Sequence, residues 1–127
     1  MTPIRMEKIE SASRIVMSFI EAFNRHDIPA IMHFISQDCL FEDSSPAPDG
    51  TALTGKPAIG QYYQAFFARF PQAHLKAEEL LGYGIRCILR WRLDWTDPSG
   101  NPAHLRGIDL FRVQQDLIGE KLSYVKG

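Results

Sequence analysis

The chain has 127 residues, 45% of them hydrophobic and 23% charged, which is long enough for one domain with a real core and short for two. Its formal net charge is -1 with no run of like charge, so it lacks the basic footprint that nucleic acid or an anionic membrane surface requires. No apolar stretch approaches the roughly 20 residues that span a bilayer, and the opening MTPIRMEKIE has no apolar signal segment, so a cytoplasmic protein is expected.

From Glu7 to Arg25, Ile9, Ala12, Val16, Phe19, Ile20 and Phe23 recur at helical spacing and predict an amphipathic helix with that face inward. Asn24-Arg25-His26-Asp27 breaks the pattern. Asp27 stands where an N-cap would, and Pro29 suits the first turn of a short second helix carrying Ile31, Met32 and Ile35. Cys39 to Asp43 reads as a strand. Ser44 to Thr54, with its prolines and glycine, reads as a loop. Pro57 opens a third helix that Pro71 closes, with Ile59, Tyr62, Tyr63, Phe66 and Phe67 on its inner side.

Beyond Pro71 the pattern is all strand. Leu75 to Tyr83 comes first, and Gly82 to Gly84 supplies a turn. Ile85 to Trp95 then alternates cleanly, with Ile85, Cys87, Leu89, Trp91, Leu93 and Trp95 on one face and Arg86, Arg90, Arg92 and Asp94 mainly on the other. Asp97 to Asn101 forms a turn, His104 to Gln114 a strand, Gln114 to Leu117 a turn, and Ile118 to Val125 the last strand. Three helices and an antiparallel meander, without βαβ alternation, make an α+β layout in a single domain over residues 1–127. Cys39 and Cys87 fall on apolar rows and are expected as buried free thiols.

The chemistry is concentrated in residues that break these rows. On His104 to Gln114, one row reads Leu105, Gly107, Asp109, Phe111 and Val113, so Asp109 points a carboxylate into an apolar interior. Such a group is costly unless paired, hydrogen-bonded or protonated, and is kept either for chemistry or for a structural ion pair. Asp43 repeats the anomaly beside Cys39 and Phe41, or else caps the Ser-rich turn that follows it. Two carboxylates in one apolar pocket can divide acid and base roles. Glu79 is a weaker third candidate, which a bulge would turn out to solvent. Tyr62 and Tyr63 are phenolic donors for a developing oxyanion if they face the cavity. His26, His33, His74 and His104 show no metal-ligand spacing, and no phosphate-binding glycine loop is present, so neither metal nor organic cofactor is expected.

Phe23 to Asp43 (FNRHDIPAIMHFISQDCLFED) resembles the opening of the nuclear transport factor 2-like superfamily, and Gly55-Lys56-Pro57-Ala58-Ile59 resembles the start of its third helix. Arg106 to Val113 (RGIDLFRV) is similar to a signature strand of SnoaL-like polyketide cyclases and ketosteroid isomerases. The resemblance implies a curved antiparallel or mixed β-sheet wrapped around three helices, a cystatin-like cone with an internal pocket. It puts Asp109 at an acid/base or oxyanion-hole position, Asp43 at the isomerases' general base, and Tyr63 at a supporting tyrosine. Phe19 takes the place of their principal oxyanion tyrosine. Phe19, Tyr62, Phe67, Trp91 and Phe111 become the expected substrate contacts. The implied activity is cofactor-independent proton transfer on a small apolar carbonyl compound, leading to isomerisation or aldol-type cyclisation. The rival on the same fold is a non-catalytic ligand-binding or dimerisation module, its cone filled by its own aromatics. A homodimer through the outer sheet face fits either reading.

Overall fold

The computed structural model describes residues 3–126, with side chains from residue 11 onward. The element order is α1 (Pro3–Asn24), α2 (Ile28–His33), β1 (Ile35–Asp43), β2 (Thr51–Thr54), α3 (Lys56–Arg69), β3 (His74–Tyr83), β4 (Arg86–Thr96), β5 (Pro102–Gln114) and β6 (Leu117–Val125). Among the described residues the strands form one mixed sheet in the order β2-β1-β6-β5-β4-β3. β1 runs parallel to β6, and every other neighbouring pair is antiparallel. The sheet is curved and unclosed, and the helices pack on its inner face. This is the expected α+β cone.

Local chemistry accounts for most boundaries. The apolar face of α1 is buried as its spacing predicts, with Ala12, Val16, Phe19, Ile20 and Phe23 in the core; Ile9 lies outside the described side chains. Asp27 caps α2 by accepting a hydrogen bond from the Ala30 N–H at 3.1 Å. At the end of α1, Asn24 clamps Leu75 at the start of β3: it accepts from the Leu75 N–H at 2.7 Å and donates to the Leu75 carbonyl at 2.9 Å. His26, beside the helix boundary, is half-buried. Its ring stacks on Phe67 at 4.2 Å and its Nε2 lies 2.8 Å from the Ala73 carbonyl oxygen.

Two expectations are corrected, at Ile35 and at Thr51–Thr54, and one is borne out, the bulge at Glu79. Ile35 belongs to β1, not to the second helix, because Phe34 ends α2 and its carbonyl accepts from the Ile118 N–H at 2.7 Å, drawing Ile35 opposite Ile118. Thr51–Thr54, expected as loop, pairs with Leu40–Asp43 as β2. Gly50 makes that return possible at φ 76°, where an added Cβ would collide with the Asp43 carbonyl. In β3 a bulge falls between Ala77 and Glu79, so Leu80 packs on the core while Leu81 and Tyr83 join Glu79 outside. Glu79 pairs with Arg90 there, at 3.5 Å.

Both cysteines are buried free thiols. On the outer face Arg86 pairs with Glu120 at 2.7 Å and Arg92 with Asp94 at 3.0 Å, exposed contacts of the kind that add little stability. In the row of Asp109, Gly107 sits opposite Trp91, and a Cβ there would come 2.7 Å from Trp91 Cζ2 and also strike the Tyr124 carbonyl. Gly107→Ala is therefore expected to lower unfolding stability by about 1–3 kcal/mol, the cost of overpacking. Urea unfolding of the variant checks this, and a loss well under that range contradicts the packing described.

Candidate active site

The inner face of the sheet carries an apolar wall interrupted by a few polar side chains. Leu89, Asp109 and Ser123 lie side by side on β4, β5 and β6. One row over, Phe41, Lys121 and Phe111 lie side by side on β1, β6 and β5. Asp43 ends β1 on the same face as Cys39 and Phe41, which are buried. Helix α1 lays Phe19, Ile20 and Phe23 across this face, and α3 adds Tyr62, Tyr63 and Phe66. Together these residues enclose a cavity of about 110 Å³ that also touches Leu75, Trp91, Leu93 and Leu105. Ser44, Tyr62, Phe66, Leu93 and Leu105 continue into a vestibule of about 400 Å³ bounded by Arg69, Phe70 and Trp95. Asp43 lines both spaces and so stands at the junction.

Of the residues singled out in the sequence, Asp43, Asp109, Tyr62, Tyr63, Phe19, Trp91 and Phe111 all line the inner cavity. Phe67 does not. It lies behind the cavity wall, stacked on His26 and packed on Phe23 at 5.1 Å, while Phe66 one position earlier on α3 faces the space. The packing of Phe67 follows from its place one turn after Tyr63, on which it also stacks at 5.9 Å.

Asp109 is 3% exposed and is the pivot of the polar set. Its Oδ2 lies 3.5 Å from Lys121 Nζ, and its Oδ1 is buried with no hydrogen-bond partner among the described residues. Lys121 Nζ also donates to Ser123 Oγ at 3.0 Å and sits 5.0 Å over the ring of Phe41. Trp91 Nε1 is likewise buried without a partner among the described residues. Asp43 accepts from the Ser44 N–H at 2.8 Å, so it both caps its turn and faces the cavity. The two sequence readings of Asp43 are compatible.

Burial raises the Tyr62 phenol above its ordinary range, and the charges of Asp43 and Asp109 and a hydrogen bond to Asp43 push the same way. Tyr63 is raised well above its ordinary value, first by burial and then by Tyr62, Asp109, Cys39 and Asp43. Both phenols therefore remain proton donors at neutral pH. Burial likewise lifts Cys39 from 9.0 to about 12, against smaller opposing effects of Lys121 and Arg112. A thiol held in that form is a poor nucleophile.

Lys121 is the site residue that the sequence pattern concealed. On simple alternation Ile118, Glu120 and Leu122 would share a row, leaving Lys121 outside with Gly119 and Ser123. The structure has one extra residue in β6, Gly119, where Val113 pairs with Ile118 but Arg112 with Glu120. This bulge keeps Ile118 inside and brings Lys121 and Ser123 inside as well. The signal in the sequence was the glycine itself, a residue that marks bulges in strands.

Residues 16–120 match the family described as the SnoaL-like domain. An NTF2-like protein of unknown function from Mesorhizobium loti is 35% identical over 94% of both chains, with a TM-score of 0.80. A Mycobacterium tuberculosis protein in complex with estradiol-17beta-hemisuccinate is 21% identical over 90% of this chain and 92% of that one, with a TM-score of 0.77. SalBIII, an epoxide hydrolase/cyclase-like enzyme of pyran ring formation in polyether salinomycin, is 15% identical over 92% of both chains, with a TM-score of 0.81. No curated protein matches the chain.

The raised thiol gives a pH signature. Between the unfolded thiol's value near 9.0 and the folded value near 12, the unfolded chain loses its proton first, so stability falls as pH rises through that window. Cys39 is expected to contribute at most about 1.4 kcal/mol of loss per pH unit there. Denaturant unfolding of the native chain and of Cys39→Val as a function of pH measures it. Identical alkaline slopes in the two proteins contradict it.

Proposed function

Because this chain belongs to the SnoaL-like domain family, whose fold is shared with isomerase-like and cyclase-like proteins, we propose that it is a cofactor-independent enzyme moving a proton beside the carbonyl of a small apolar compound. The observation that carries the reading is the half-satisfied carboxylate of Asp109. One oxygen is held by Lys121 and the other, buried and unpartnered among the described residues, belongs to a side chain lining the cavity. A general base needs this arrangement: a fixed carboxylate with one lone-pair face left for the substrate.

In this reading Asp109 Oδ1 removes a proton from the carbon next to the carbonyl. The C–H electron pair becomes the enolate double bond, and the carbonyl π pair moves onto oxygen. Tyr63 supports that oxygen as a phenolic donor. Returning the proton at another carbon is an isomerisation; attack of the enolate carbon on a second carbonyl closes a ring, its π pair becoming an alkoxide that takes the proton back from Asp109. Asp43, at the junction with the vestibule, acts as the second base or electrostatic partner, with Tyr62 beside it. The aromatic and aliphatic wall excludes water and selects an apolar body. The inner space is small, so a ligand places its reacting carbonyl inside and extends its remainder past Tyr62 into the vestibule. The estradiol-derivative complex of the fold relative is in keeping with an apolar ligand of this kind.

The competing reading, a binding module without chemistry, draws on the small inner volume and separates cleanly from the enzyme. Asp109→Asn is expected to reduce deuterium exchange at the α-carbon of enolisable ketones by about 100-fold or more, with the circular dichroism spectrum unchanged. Nuclear magnetic resonance on a panel of such ketones measures this. Exchange that persists at the native rate in the variant rejects Asp109 as the base.

The protein is further proposed to be cytoplasmic and a homodimer; no described helix is long and apolar enough to cross a membrane. Across the outer sheet face, Leu81, Ile88, Leu110 and Leu122 fall in one cross-strand row, with Leu81 and Ile88 exposed. A two-fold contact would cover this stripe. Ile88→Lys is expected to convert a dimer to a monomer in light scattering; a native chain already monomeric at micromolar concentration contradicts it.

A further inference from the structure

We infer that Lys121 is a further catalytic residue, whose ammonium receives the negative charge developing on the substrate's carbonyl oxygen as Asp109 takes the α-proton. The inference rests on the reading of Asp109 as base and specifies the substrate: an enolisable carbonyl compound whose oxygen lies beside Lys121 while its α-carbon faces Asp109.

Position supports it first. The Lys121 side chain is 15% exposed, lines the cavity, stands between Phe41 and Phe111 in the strand register, and holds its Nζ 5.0 Å over the Phe41 ring. Taking an ammonium out of water is costly, one cation–π contact offsets only part of that cost, and a purely structural ion pair would offset the rest by satisfying both partners. This pair does not. Asp109 keeps Oδ1 unpartnered among the described residues, and the 3.5 Å separation from Oδ2 is loose for a charge-assisted hydrogen bond. An ammonium has three N–H donors; one goes to Ser123 Oγ, and Asp109 Oδ2 at 3.5 Å is an ion-pair contact, so among the described residues donor capacity is left for a ligand oxygen.

Charge balance supports it next. Before reaction the positive charge of Lys121 faces the Asp109 carboxylate. As the substrate C–H bond breaks, its proton goes to Asp109 Oδ1 and neutralises that carboxylate, while the electron pair shifts the negative charge to the enolate oxygen. The summed charge of Asp109, Lys121 and substrate is unchanged, and the ammonium exchanges one anionic partner for another a few ångströms away. The attraction to the substrate oxygen, absent before reaction, grows as charge arrives there and offsets the attraction to Asp109 that protonation removes, so the enolate forms without an unpaired buried charge. Phe19, which lines the same cavity, has no donor to offer there, and Tyr63 supplies only a neutral one.

A phenol that ionises near neutrality is a fixed mimic of the enolate, and 4-nitrophenol reports its own charge by its phenolate absorption band. In Asp109→Asn the neutral amide stands for the protonated base. This variant is expected to bind 4-nitrophenol as phenolate in buffer below the phenol's solution pKa, and Asp109→Asn/Lys121→Met to bind it about tenfold or more weaker and in neutral form. Neutral phenol in Asp109→Asn, equal affinity with and without Lys121, or no binding to either overturns the assignment. If Asp109→Asn does not accumulate folded, the native chain and Lys121→Met are compared by affinity alone; the same tenfold loss supports the assignment and equality overturns it. Lost α-exchange in Asp109→Asn without phenolate selection rejects Lys121 and leaves the base in place. Phenolate selection with undiminished α-exchange rejects the base.

Discussion

A carboxylate 3% exposed inside an aromatic wall is the constraint around which this fold is arranged. Asp109 is shut off from bulk solvent, and its charge faces Lys121, which the register of β6 against β5 brings within 3.5 Å. Each residue offsets the cost of burying the other. Removing either partner would strand a buried charge, at a cost of about 3–5 kcal/mol in comparable sites. The walls close over the pair because Phe19 meets Tyr63 and Phe111 edge-on at 6.3 and 6.0 Å, tying α1 to α3 and to the same strand that carries Asp109. The apolar packing that makes the charge expensive is the same packing that fixes its geometry.

Two bulges decide what the cavity contains. In β3 the extra residue between Ala77 and Glu79 turns Glu79 outward and leaves an aliphatic rim. In β6 the extra residue Gly119 turns Lys121 inward. Both strands have mixed rows, and in both a one-residue slip exchanges a charge for a hydrocarbon. The molecule thus places its polar groups by interrupting alternation at chosen points, while β4 and β5, paired without interruption from Arg86–Arg112 to Thr96–Pro102, provide a rigid floor.

This division explains what was legible in the sequence. On β5 alternation is unbroken from Leu105 to Phe111, so the anomaly of Asp109 could be read directly, and Cys39 and Phe41 placed Asp43 in the same way. The cap at Asp27 and the prolines at Pro29 and Pro57 marked helix starts because their chemistry is local. The family resemblance supplied the cone, which no local pattern could. Lys121 was hidden because a bulge is a property of two strands together, visible only once Val113 is set against Ile118. The strand at Thr51 was hidden for a similar reason: Thr-Ala-Leu-Thr extends only because β1 offers it an edge and Gly50 turns the chain back. Phe66 and Phe67 could not be ranked, since adjacent aromatics on a helix differ by a rotation that tertiary packing sets.

In the proposed reading, a carboxylate base, its counter-ion and two phenols surround a small, largely apolar chamber opening onto a broader vestibule. A crystal structure with a small enolisable ketone tests it most directly. The account predicts the ketone oxygen within hydrogen-bonding distance of Lys121 Nζ and the α-carbon facing Asp109 Oδ1. A ketone confined to the vestibule, or bound inside with its oxygen turned away from Lys121, would contradict it.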